Sequence, residues 1–153
     1  MPISRQIAPS TAVWSYSDRS LTNPKKVVLT DATEYIEKTA VYTVEKTFII
    51  TPTSGKAIQI LGVIFKRDCK EDNAAGTNSS KLNVGGSDIL EATTTSTTYT
   101  TLTGKSGFAN ATLQGLMFRQ DEAISIQVWL KTSTTSYWAY MKNIEVTVFY
   151  QEF

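Results

Sequence analysis

Along most of the chain, apolar and polar residues alternate with a period of two rather than 3.6. In Val41–Thr51 (VYTVEKTFIIT), Tyr42, Val44, Phe48 and Ile50 share one face, with Lys46 as the exception. Thr43, Glu45 and Thr47 take the other face, and Thr51–Gly55 (TPTSG) follows as a turn. Lys56–Lys66 (KAIQILGVIFK) is apolar on both faces in its middle, as a strand under a second layer is. Gly62 inside it predicts a bulge or a close backbone approach. Ala123–Lys131 (AISIQVWLK) puts Ile124, Ile126, Val128 and Leu130 inward, and Ser125, Gln127 and Trp129 outward. In Tyr137–Tyr150 (YWAYMKNIEVTVFY), Ile144, Val146 and Val148 share one face and Glu145 and Thr147 the other. The β-branched and aromatic density of this last strand places it at the centre of a sheet.

Shorter strands are predicted at Lys81–Val84, Ser87–Ala92 and Tyr99–Thr103, with Gly85-Gly86 turning between the first two. Thr93–Thr98 is almost pure Thr and Ser. Gly104–Gly107 reads as a turn, and Phe108–Phe118 as a strand broken near Gly115. Arg119–Glu122 and Thr132–Ser136 read as turns. The polar run Arg67–Ser80 (RDCKEDNAAGTNSS) reads as a long loop. Asp31–Lys38 (DATEYIEK) is the best helical candidate, with Asp31 as a possible N-cap. About eight strands with short connections predict an all-β fold, a two-sheet antiparallel β-sandwich. A single jelly roll is the first topology and an immunoglobulin-like sandwich the second, although the Cys…Trp…Cys spacing of the latter is absent.

Residues 1–25 differ from the rest. Pro2, Pro9 and Pro24 interrupt them and no period is sustained, yet they carry Ile3, Ile7, Val13, Trp14 and Tyr16. A solvated tail is poorer in such residues. The segment is expected to be an extended N-terminal arm, docking on a neighbouring subunit or on its own sandwich, with residues 26–153 as the single β-sandwich domain. At 153 residues the chain is long enough to fold without a metal or disulfide.

Composition narrows the chemistry. There is no His and one Cys, so Ser-His-Asp and Cys-His catalysis and His- or thiolate-ligated metals are excluded. Cys69 has no intrachain partner for a disulfide. The oxygen ligands Asp68, Glu71, Asp72 and Asn73 cluster in sequence, but match no Ca²⁺-loop pattern and are diluted by Lys66, Arg67 and Lys70. Candidate glycosidase acids such as Glu91 and Asp121 are not specific. No catalytic residue, metal or cofactor is expected. A net charge of +1 leaves no footprint for nucleic acid. No run approaches the ~20 apolar residues of a membrane-spanning helix. No signal peptide is visible, so a chain synthesised as a soluble cytoplasmic protein is expected.

The aromatic residues remain. Trp129 falls opposite the inward face of its strand, and Tyr137-Trp138 stands at a strand entrance, with Tyr140 close by. Off-core aromatics of this kind anchor interfaces, pack under a loop of their own fold, or stack on sugars. The candidate interface residues are therefore Ile3, Ile7, Val13, Trp14, Tyr16, Trp129, Tyr137 and Trp138.

The pattern from Lys56-Ala57-Ile58-Gln59-Ile60-Leu61-Gly62-Val63 through Gly85-Gly86-Ser87 and Tyr99–Thr103 resembles a known group of proteins. With Ala123–Val128 and the closing Asn143-Ile144-Glu145-Val146, it is similar to small single jelly-roll structural proteins of virus particles and archaeal surface assemblies. That resemblance implies a non-enzymatic, self-assembling subunit, a capsid, penton, turret or spike component located in a virion or extracellular assembly. Its partners would be further copies of itself and other structural subunits. The alternative is a carbohydrate- or receptor-binding β-sandwich module.

Overall fold

The computed structural model describes residues 24–107, 110–114 and 116–153. The arm residues Ile3, Ile7, Val13, Trp14 and Tyr16 lie outside this set. The elements in chain order are β1 (Lys25–Asp31), β2 (Tyr35–Glu37), β3 (Thr43–Ile50), β4 (Ile58–Glu71), β5 (Asn78–Val84) and β6 (Ser87–Thr94). They continue as β7 (Thr100–Gly107), α1 (Ala111–Gln114), β8 (Met117–Phe118), β9 (Ile124–Lys131) and β10 (Ala139–Glu152).

One sheet has the order β1-β10-β4-β7, with β2 also pairing β10 and β8 also pairing β4. The other has the order β3-β9-β5-β6. All pairings are antiparallel. The short β2 continues the ladder of β1 along β10, and β8 continues that of β7 along β4. Of the eight strand positions that result, the first pairs with the last, the second with the seventh, the third with the sixth, and the fourth with the fifth. That nesting of a rolled hairpin is a jelly roll. β10 is central, between β1 and β4, as its composition predicted.

The core lies between the sheets where the inward positions meet. Ile58, Ile60, Val63 and Phe65 of β4 face Leu82 and Val84 of β5 and Ile124, Ile126, Val128 and Leu130 of β9, all essentially inaccessible. Met141, Ile144, Val146 and Val148 of β10 complete the layer. Burying each such side chain stabilises the fold by about 1.5–3 kcal/mol before chain entropy is counted. Gly62 acts in both expected ways. The ladder shifts register beside it, and a Cβ there would stand 3.3 Å from the Ser106 carbonyl oxygen.

Several local expectations are corrected. Asp31–Lys38 is not helical: Asp31 accepts a hydrogen bond from the Thr33 amide at 2.8 Å, an Asx turn that separates β1 from β2. Tyr35 and Glu37 then alternate with Ile36 along β10. In β3, the register shifts between Val44 and Lys46, so Val44 pairs with outward-facing Trp129 while Lys46 pairs with inward-facing Val128. The bulge inverts the expected face for Val44, while Lys46 stays on the inward face at the sheet edge, where it pairs with Asp31 at 3.2 Å. Arg67–Ser80 is not one loop, because β4 runs on to Glu71 and β5 begins at Asn78. Gly104–Gly107 is not a turn but the end of β7, and Gly104 lies opposite Phe65. The Phe108–Phe118 region holds α1 and β8 instead of a broken strand; the Asn110 side chain accepts from the Leu113 amide at 3.0 Å, and Leu113 is fully buried.

Candidate functional site

The outer face of the first sheet carries the densest arrangement of recognition chemistry among the described residues. Because β1 and β2 are interrupted at residues 32–34, the strand alongside β10 is broken midway. Opposite that break β10 bulges between Lys142 and Glu145, and Asn143 adopts a left-handed conformation with φ of 52°. Asn tolerates that region better than most residues. The two irregularities open a cleft of about 430 Å³ lined by Thr30, Asp31, Lys66, Asp68, Thr101, Asn143 and Glu145, among others.

The cleft floor is ordered by hydrogen bonds. Asp68 accepts from the Asn143 amide nitrogen at 2.9 Å and from the Thr101 hydroxyl at 2.6 Å. Those two bonds hold its carboxyl below the usual carboxylate range, against the opposing effect of burial. Asp31 is partly desolvated, yet donors on Tyr35, Thr33 and Lys46 hold its carboxyl well below the usual range. Lys46 reaches it from the other sheet at 3.2 Å, so this ion pair ties the two layers together at one edge.

On one side of the cleft the outward positions are aromatic and cationic. Tyr140 pairs with Ile36 on β2 and Lys70 on β4, and Trp138 lies two residues before it on the same face. The Lys70 ammonium sits 4.6 Å from the ring centre of Tyr140 and 5.0 Å from that of Tyr99. Lys142 lies 4.1 Å from the ring centre of Tyr99, and Lys38 lies 4.7 Å from that of Trp138. The Tyr99 hydroxyl donates to Glu34, and burial together with that carboxylate pushes the phenol up. Among the described residues, Lys38, Lys70 and Lys142 form no ion pair; ring faces hold them instead.

The other side carries exposed apolar side chains, with Lys26 paired beside Phe149. Val28 (46% exposed), Phe149 (36%) and Met117 (53%) project from β1, β10 and β8. Phe149 lies opposite Gly62, whose missing side chain leaves room for the ring.

The residues singled out from the sequence separate in space. Trp138 belongs to the aromatic end of this face. Tyr137 packs over Gly76, where a Cβ would come within 2.8 Å of its ring. Trp129 stands on the outer face of the opposite sheet, with Lys81 5.1 Å from its ring centre. Near it the Tyr42 hydroxyl donates to Glu91 and Lys81 pairs with Asp88 at 2.9 Å, while the Trp129 indole nitrogen is buried with no hydrogen-bond partner among the described residues. Asp68, Glu71, Asp72 and Asn73 do not converge: Asp68 faces out, while Glu71 is buried and accepts from the Thr132 hydroxyl at 2.8 Å. Lys70 escaped notice because Arg67–Ser80 reads as loop and Lys38 because Asp31–Lys38 reads as helix, while Tyr99 and Lys142 lie on strands whose neighbours the sequence does not reveal. Continuing the alternation of Lys66, Asp68 and Lys70 would have put them on one face with Tyr140.

No family model and no curated protein matches the chain. Solved structures do. The chain is similar to the CBM36-1 domain of a multidomain xylanase from the hindgut metagenome of Trinervitermes trinervoides, at 9% identity and a TM-score of 0.45. That match covers 80% of this chain and 96% of the other. The EclA C-terminal domain, a sugar-binding protein, matches at 12% identity and a TM-score of 0.42, covering 82% and 81%. The VP2 subviral particle of infectious bursal disease virus matches at 10% identity and a TM-score of 0.43, covering 85% of this chain but 37% of that one. Sugar-binding domains and virus-particle proteins thus stand side by side as neighbours in fold.

Proposed function

We propose that the protein is a non-enzymatic structural subunit that self-assembles, as part of a virus particle or a related extracellular surface assembly. The observation that carries this reading is the apolar end of the first sheet's outer face, where Val28, Phe149 and Met117 stand exposed. Adjoining apolar side chains on a free face commonly mark an association surface. The preceding segment supplies a matching apolar set in Ile3, Ile7, Val13, Trp14 and Tyr16, and it enters the fold at Lys25, on the same edge strand as Val28. Covering a neighbour's apolar end with that segment is the assembly step we infer. The absence of His from the sequence removes the Ser-His-Asp and Cys-His routes to catalysis.

Light scattering with negative-stain microscopy tests this on the full chain. Rings, shells or filaments are expected, lost on deleting residues 1–20 or on Phe149→Glu while the circular dichroism of the sandwich persists. A 17 kDa monomer at high concentration, or assembly unaffected by both changes, overturns it. The aromatic end of the same face favours a second role, sugar recognition.

A further inference from the structure

We infer that the aromatic end of the first sheet's outer face, with the adjoining cleft, binds an anionic oligosaccharide carrying carboxylate or sulfate groups. The inference rests on the sugar-recognition reading and adds the charge class of the ligand. Trp138 immediately precedes β10, held by hydrogen bonds to Asp72, and Tyr140 is the second residue of that strand, so the two rings stand within the span of a short oligosaccharide. Tyr99 stands beside them, since Lys70 lies within 5.0 Å of both tyrosine ring centres. Aromatic platforms suit the C–H faces of any sugar; the cations select the charge.

Lys38, Lys70 and Lys142 rest on ring faces rather than on carboxylates among the described residues. The acids nearby are engaged: Glu34 accepts from Tyr99, and Asp68 accepts from Asn143 and Thr101. An exposed ammonium gains from a ring face only weakly and without direction, whereas an oxyanion offers it a directed, charge-assisted hydrogen bond that strengthens as the sugar excludes water. An arriving carboxylate or sulfate therefore draws each ammonium off its ring. The same movement uncovers the ring for the sugar's apolar face. A neutral sugar would have to displace the lysines with no such compensation. The cleft, where Asp31, Asp68 and Glu145 outnumber Lys66, suits the hydroxyls of an adjoining residue and not its acidic group, which stays with the lysines at the aromatic end.

Isothermal titration of the full chain tests this, using a heparin-derived hexasaccharide, trigalacturonate, neutral maltohexaose and the oligonucleotide dT12. Binding to at least one acidic sugar, tenfold or more tighter than to maltohexaose, is expected. Lys70→Gln with Lys142→Gln should weaken it at least tenfold, and Tyr140→Ala should do the same with no change of charge. Trp129→Ala, on the opposite sheet, should leave it unaltered. Chemical-shift changes confined to Tyr99, Trp138 and Tyr140 would support the site even if Tyr140→Ala proved unstable. Equal binding of dT12, or acidic-sugar binding that ignores Tyr140→Ala without those shifts, would mark a general polyanion surface and overturn the inference. Tighter binding of maltohexaose would overturn the charge selectivity and keep the sugar reading. No binding of any sugar would sink both.

Discussion

Arg67 is the largest fully buried side chain of the described core, and it has no carboxylate partner among the described residues. Its Nε donates to the Ser80 hydroxyl at 2.9 Å, while its Nη atoms reach the carbonyls of Phe65, Ser80 and Leu102 at 3.3–3.5 Å. The guanidinium also lies 4.0 Å from the Phe65 ring centre. One good bond, three long ones and a ring face are a thin return for a desolvated cation, and burial pulls the guanidinium below its ordinary value. Removing such a charge recovers several kcal/mol of desolvation and gives up about 1.5–3 kcal/mol for the one good bond. Arg67→Met, which keeps most of the volume, should therefore leave stability unchanged or raise it by up to about 2 kcal/mol. Arg67→Ala orphans Ser80 just as Arg67→Met does but also opens a void of ~85 Å³, costing about 2 kcal/mol at ~24 cal/mol per Å³, so it should fall at least about 2 kcal/mol below Arg67→Met. With a urea slope near ~2 kcal/mol/M, the two variants should unfold at least ~1 M apart. Urea titration followed by tryptophan fluorescence reads this directly. If Arg67→Met unfolds as early as Arg67→Ala, the charge itself stabilises the core and the reasoning fails.

Glu45 offers a pH test. Burial and the neighbouring Glu37 push its carboxyl up to about 7. The folded chain then holds this proton more tightly than the unfolded one, so the stabilising share is complete below about pH 4.5 and is lost as pH rises to about 7. Urea midpoints across pH 4–8 should fall over that window, and Glu45→Gln should flatten the fall; an unchanged slope in the variant would remove Glu45 as its source. Gly85 has a φ of 58° and its Cβ would meet the Phe118 ring at 2.4 Å, whereas Gly86, at φ 94°, has open space around it. Gly85→Ala should thus cost about 3 kcal/mol and Gly86→Ala about 1–2, from backbone strain alone, with equal losses in thermal melts contradicting the ring clash. Cys69 is fully buried and burial pushes its thiol up, so it should resist DTNB until the chain unfolds; rapid native labelling would refute that placement.

What proved legible in the sequence is whatever one face of a strand records. Ile124, Ile126, Val128 and Leu130 alternate without interruption, and β9 lies where they put it. β10 is read as well from Ile144, Val146 and Val148, and its central position agrees with its β-branched and aromatic density. The Gly85-Gly86 hairpin was legible because a two-residue turn with both φ values positive favours glycine. Period-two reading fails where inward positions are polar. Arg67, Glu71, Asn78 and Ser80 are buried but look like loop, and the side chains and carbonyls that fix them include Ser80, Tyr140 and Thr132, 13 to 62 residues away. Bulges are equally hidden, because one extra residue at Glu45 inverts the faces before it without altering composition.

The candidate site illustrates the same division. Alternation alone put Trp129 off the core face, as the structure does, and left Trp138 among the off-core aromatics. That they stand on opposite sheets is a matter of strand order, which no local pattern contains. The cleft needs the break between β1 and β2 to lie opposite the bulge at Asn143, a coincidence of register between segments more than 100 residues apart. Tyr99, Lys70 and Tyr140 meet because β4 and β10 pair and the chain re-enters the sheet at β7. The sequence by itself determined the class of fold and the position of strands such as β9 and β10, since these follow from side-chain periodicity. The grouping of aromatics and unpaired lysines on one face was decided only by the tertiary structure, because it depends on which strands become neighbours.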